Sequence, residues 1–142
     1  MIKNKESVRI KATQSDKQET LVKTLKERDL FRFYGTEQYF KHWLGIYIYT
    51  DGIKYLAEHG KAHWLIDEIV FYQKDLRIKN DEMLQSIQFW NLIVNKDSTA
   101  ELICERDEGD VALKKDIDYT DFPLEKVTIY VQENVILLPS EY

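Results

Sequence analysis

The sequence predicts an α+β domain in which N-terminal helices pack on a C-terminal five-stranded antiparallel sheet, a meander. Three observations predict it. Apolar residues recur at three and four positions over residues 62–74, the period changes to two after residue 86, and clusters of turn formers cut the period-two stretch into short runs. A chain of 142 residues suits one domain, and a domain of that size buries roughly 70% of its unfolded surface.

The elements follow in order. Residues 1–16 are polar and lysine-rich without sustained periodicity and read as a flexible N-terminal arm, leaving residues 17–142 as a single domain. Ser15 or Asp16 can cap a helix over 17–29, with Leu21, Val22 and Leu25 as its narrow apolar stripe. Residues 30–34 read as extended, and Gly35 breaks them. Thr36 can cap a short helical turn over the dense segment Tyr39-Phe40-Lys41-His42-Trp43, with Glu37 near its positive end. Ile46-Tyr47-Ile48-Tyr49 reads as a short strand. Thr50 looks like the N-cap of a helix carrying Ile53, Leu56 and Ala57, which Gly60 stops. The next helix, over 62–74, has a clear buried face of Leu65, Ile66, Ile69 and Val70. Residues 75–86 form a charged connector with room for another turn. Strands are expected at 87–95, 99–106, 111–119, 126–131 and 135–138, with Phe89, Ile93, Leu102, Cys104, Val127 and Ile129 among the buried positions.

Composition narrows the function. The apolar share of 44% and charged share of 32% are those of an ordinary globular protein. Nine Tyr, six Phe and three Trp are a less ordinary feature, since aromatic side chains serve cores and binding faces equally well. The net charge of −5 excludes an extended duplex binder, which needs a basic footprint. A small anionic ligand held by a few local cations stays open. The single cysteine, Cys104, rules out an internal disulfide and reads as a buried strand residue. Together with the lack of a signal peptide at the start it points to a reducing cytoplasm. No apolar run reaches the ~20 residues of a membrane span.

The motifs of common enzymes are missing. There is no Gly-rich phosphate loop, no paired-cysteine zinc spacing, no His-Glu-x-x-His and no Gly-x-Ser-x-Gly elbow. His59 and His63 are four apart, but Gly60 between them ends the helix that would align them. His63 and Asp67 can share a helix face, and one such pair does not make a metal site. No metal and no cofactor is expected. His42 is the histidine with chemical company. A Lys and a His side by side can hold a phosphate, stabilise charge on it and protonate a leaving oxygen. Tyr and Trp can stack on a base, worth ~1–3 kcal/mol each. The other reading of the same segment is that its aromatics pack on the sheet while Lys41 and His42 meet solvent.

Several spaced stretches resemble a known family. They are Tyr34-Gly35-Thr36-Glu37-Gln38-Tyr39-Phe40-Lys41-His42, Tyr49-Thr50-Asp51-Gly52, Trp64-Leu65-Ile66-Asp67, Phe89-Trp90-Asn91-Leu92, Thr120-Asp121-Phe122-Pro123-Leu124 and Leu138-Pro139-Ser140-Glu141-Tyr142. Over about residues 20–142 the chain resembles a domain-of-unknown-function family of small bacterial, plasmid and phage proteins. Where that family typically has Arg-His, this chain has Lys41-His42, and lysine lacks the bidentate fork of arginine. The resemblance implies a mobile-element accessory protein engaged in CRISPR counter-defence. One activity that fits is a metal-independent ring nuclease, which binds and cleaves cyclic oligoadenylate through attack of a ribose 2′-OH on the adjacent phosphodiester. In that reading His42 and Lys41 are catalytic. Tyr39, Trp43 and Trp64 bind the ligand, joined by Thr50 and Asp51 at the start of the following helix. A homodimer would match the symmetry of a cyclic ligand. The alternative is a non-enzymatic inhibitor or adaptor that binds a protein through an acidic, aromatic surface.

Overall fold

The computed structural model describes residues 24–142, so the predicted arm over 1–16 and most of the predicted helix over 17–29 lie outside the described residues. Of its described part only a four-residue helix, α1 (Glu27–Leu30), forms, with its own Leu30 and the preceding Leu25 buried. Next come β1 (Tyr39–Lys41) and β2 (Ile48–Thr50), then helices α2 (Asp51–His59) and α3 (His63–Tyr72) and the short turns α4 (Leu76–Lys79) and α5 (Glu82–Ser86). Five further strands follow: β3 (Ile87–Val94), β4 (Ala100–Asp107), β5 (Asp110–Ile117), β6 (Lys126–Gln132) and β7 (Val135–Leu137). A 3₁₀ turn, Pro139–Glu141, ends the chain.

The five-stranded antiparallel meander is corrected by this arrangement. The sheet has seven strands in the order β1-β2-β7-β6-β3-β4-β5 and is mixed, because β2 runs parallel to β7. The expected strands do occur at β3 to β7, but β6 pairs with β3 instead of with β5. The reason lies in the connection 118–125. It crosses the end of the β3–β4 hairpin, held by Thr120 N–H to the Ser98 carbonyl (2.8 Å) and by buried Phe122, and Val94 N–H then donates to the Glu125 carbonyl. A strand leaving that crossing meets the free edge of β3. The other two strands come from a hairpin upstream of the main helices, so the helices do not precede the sheet as a block.

Segment 36–45 is the second correction. It forms no helical turn; Tyr39, Phe40 and Lys41 pair antiparallel with Thr50, Tyr49 and Ile48. Aromatic and β-branched residues favour this extended form. The hairpin loop closes through His42 N–H to the Tyr47 carbonyl at 2.8 Å, and Gly45 takes a φ of +146° that other residues rarely adopt.

The two main helices form as their sequences dictate. Thr50 caps α2 by accepting from Ile53 N–H at 3.2 Å, and Gly60 sits at its C-cap. Leu65, Ile66, Ile69 and Val70 of α3 are all buried. Both helices cover one face of the sheet, where Trp90, Leu92, Leu102, Cys104, Ile129 and Val131 complete the core. The parity of β3 differs from expectation at Phe89 and Ile93, which lie half-buried on the opposite face, while Gln88, Trp90 and Leu92 point inward. A buried Gln88 obscured the alternation. It is admitted because its amide pairs reciprocally with Gln73, at 2.9 and 2.7 Å, and accepts from Trp90 Nε1 at 2.7 Å. At the far edge Lys115 of β5 reaches back to Glu68 of α3 and ties helix to sheet.

Candidate functional site

The end of β1 and the outer turn of α3 meet over a hollow of about 290 Å³. Alternation along β1 turns Phe40, and His42 just beyond the strand, toward the helices and Tyr39 away from them, while exposed Lys41 at the strand's end borders the hollow. His42 is only 4% exposed. Its Nε2 lies 2.7 Å from Asp67 Oδ1, and its Nδ1 accepts from Leu44 N–H at 3.0 Å. A ring nitrogen that accepts carries no proton, so the neutral imidazole holds its hydrogen on Nε2 and donates it to Asp67. Trp43, 75% exposed, stacks on the His42 ring at 5.7 Å and donates its Nε1–H to the same Asp67 oxygen at 3.1 Å. One carboxylate oxygen therefore gathers two ring donors brought from β1 to α3 across 25 residues of chain.

His63 stands one helical turn before Asp67 on α3 and borders the same hollow. Tyr49 of β2 forms the floor with Ala57 and Ile66, and Lys41 lies at the rim. A wider, shallower depression continues past Trp43 to Gly45 and Ile46. The set thus offers a fixed carboxylate, an accessible imidazole, an ammonium and an exposed indole. Among the described residues no three His, Cys, Asp or Glu side chains converge in a way that could hold a metal ion.

The sequence-derived candidates divide. Lys41, His42 and Trp43 meet at the hollow. The proton transfer assigned to His42 needs a free ring nitrogen, and both nitrogens are engaged. Tyr39 is exposed on the other side of β1. Trp64 is half-buried against the core, one residue around the helix from His63. Thr50 and Asp51 belong to a different cluster. Thr50 Oγ1 donates to Glu141 Oε1 at 2.6 Å, Thr36 Oγ1 donates to Oε2 at 3.3 Å, and the backbone N–H groups of Gly52 and Leu138 donate to the same carboxyl. Burial holds the Glu141 carboxyl above its ordinary pKa, and neighbouring Asp51 adds to that. A side chain at Gly52 would displace the Glu141 carboxyl from this node, since a Cβ would lie 2.7 Å from Glu141 Oε1. This node ties the C-terminal turn to the start of α2 and so fixes β2 from behind.

Asp67, His63 and Tyr49 were not among the site candidates. The helical spacing of His63 and Asp67 was visible, but nothing in the sequence linked either to His42. A second hollow, of about 310 Å³ between α1 and β6, is lined by apolar groups such as Leu30, Phe31 and Leu124, with Glu27 and Lys126 as its ionisable groups. It lacks convergent polar chemistry.

No helix among the described residues is long and apolar enough to cross a membrane. No curated protein and no solved structure matches the chain. Residues 24–142 match the model described as Family of unknown function (DUF6876), and the chain belongs to that family.

Proposed function

We propose that the hollow between β1 and α3 binds a nucleotide, and that the protein is a cytoplasmic mobile-element accessory acting on a cyclic oligonucleotide, with cyclic oligoadenylate the first candidate. The observation that carries this is the convergence of Lys41, Trp43, His63 and the His42-supported Asp67 on one concavity. An exposed indole stacks on a base, and an ammonium with an imidazole meets phosphate. His42 works as a positioning residue that orients Asp67 and Trp43. Cleavage, in this reading, forms a bond from a ribose 2′-oxygen to the adjacent phosphorus and breaks the bond from phosphorus to the 5′-oxygen. The 2′-OH proton leaves to water, and His63, when protonated, supplies a proton to the departing oxygen. Lys41 stabilises charge on the phosphoryl oxygens. A homodimer would present two such hollows to a symmetric ring.

The test is incubation of the pure protein with cyclic and linear oligonucleotides, with and without EDTA. The expected products carry 2′,3′-cyclic phosphate ends and form equally in EDTA. His63→Ala slows turnover by ~10²–10⁴-fold, and Lys41→Ala weakens binding and the chemical step together. Binding without cleavage reduces the protein to a nucleotide sequesterer; no binding across the panel rejects the reading.

One observation favours a second reading, a protein-binding inhibitor or adaptor. Tyr34, Tyr39, Trp43 and Ile46 are all strongly exposed within one short segment, and an aromatic surface of that kind suits a partner's hot spot. A partner captured through Trp43 and Ile46 by a protein inert to nucleotides decides for it.

A further inference from the structure

We propose that Asp67 is the residue that selects the base, by requiring an N–H donor on the base edge such as the exocyclic amine of adenine; this rests on the nucleotide reading of the hollow. The argument starts at the imidazole. Because Leu44 N–H occupies His42 Nδ1, the His42 proton sits on Nε2, and both contacts at Asp67 Oδ1 are donations to it, from His42 and from Trp43. Two donors from rigid rings fix the rotation of the carboxylate. Its Oδ2 has no hydrogen-bond partner among the described residues, and the side chain is 43% exposed at the hollow. A fixed, charged acceptor beside a stacking surface accepts N–H and offers nothing to a base edge that carries only acceptors. It also repels phosphate, so the base end of the ligand lies against Asp67 and the phosphate end toward Lys41.

The replacement Asp67→Asn inverts this logic while preserving the shape. Asparagine's Oδ1 accepts from His42 and Trp43 as before, and its Nδ2 places two hydrogens where Oδ2 stood. The amine of adenine then meets a donor.

The experiment measures binding of cyclic tetraadenylate and of the matching cyclic tetramer of purine riboside, which differs only by lacking the amine. The wild type is expected to bind the adenine tetramer about ten- to a hundredfold more tightly, the range of a hydrogen bond to a charged group. Asp67→Asn, with its circular dichroism unchanged, is expected to bring the two affinities together or reverse their order. Asp67→Ala removes the acceptor outright and is expected to abolish the preference too. Equal wild-type affinities, or a preference that survives in Asp67→Asn, overturn the inference and leave nucleotide binding standing. A wild type that binds neither tetramer overturns the nucleotide reading and this inference with it.

Discussion

At the residue scale the buried polar groups carry the most information. Gln73 and Gln88 sit in the core because each satisfies the other, with the Ile69 and Leu84 carbonyls and the Trp90 indole taking the remaining bonds. Gln88→Leu leaves Gln73 Oε1 and the Trp90 Nε1–H without partners, while Gln73 Nε2 keeps the Ile69 carbonyl, at ~1–3 kcal/mol for each orphaned group. The urea midpoint is expected to fall accordingly. The double variant Gln73→Leu/Gln88→Leu is expected to lose less than the sum of the two single changes, because the pair leaves together; strict additivity would contradict the reciprocal pairing. Cys104 illustrates the opposite case. Fully buried, its thiol is pushed up to about 12 by loss of solvation, so it behaves as a small apolar residue, as its position in the β4 alternation indicates. The identity of the His42 partner was not legible. The hydrogen bond to Asp67 joins two elements that no local pattern connects, and a buried imidazole between a carboxylate and a backbone N–H looks in sequence like any exposed histidine.

At the scale of elements, periodicity was decisive where one face was uniformly apolar and failed where it was not. The α3 stripe of Leu65, Ile66, Ile69 and Val70 is buried as its spacing requires. Ile69→Ala leaves a cavity beneath the sheet and is expected to destabilise by ~2–5 kcal/mol; a melting temperature within a degree of the parent would contradict the packing. Thr50 and Gly60 mark the ends of α2, as caps chosen by chemistry. The β3 parity was misread because Ile87, Phe89 and Ile93 occupy one face and Trp90 and Leu92 the other, so both faces look apolar while the true inner face contains a glutamine. The β1 segment was misread because a potential cap at Thr36 suggested a helical start. The pairing that makes it extended comes from β2, seven residues beyond its end.

At the scale of the whole molecule, long-range pairing decides the architecture. Local signals found six of the seven strands, all but β1, but could not show that β6 returns to β3 or that β2 lies parallel to β7 and joins the same sheet. Glu141 is the tie that holds this closure, joining the last turn to Thr36, Thr50 and Gly52. Its folded-state pKa is raised, so its protonation favours the folded form. That contribution is fully present below the unfolded carboxyl value and is lost as pH rises through the raised folded value. Asp75, held down to about 2 by its bonds to Arg77, works in the other direction, losing its contribution as pH falls. A comparison with Glu141→Gln isolates the glutamate. Wild-type stability relative to Glu141→Gln is expected to rise as the pH is lowered from neutral toward the ordinary glutamate range. A difference that stays constant or shrinks would contradict a buried, proton-favouring node.

The central claim is that the hollow beside Trp43 holds a nucleotide, and calorimetric titration of the wild type and Trp43→Ala with cyclic tetraadenylate tests it most directly. The wild type is expected to bind, and loss of the stacking indole is expected to cost ~1–3 kcal/mol of affinity with the fold intact. No heat of binding to the wild type, or equal affinity in both proteins, would contradict it.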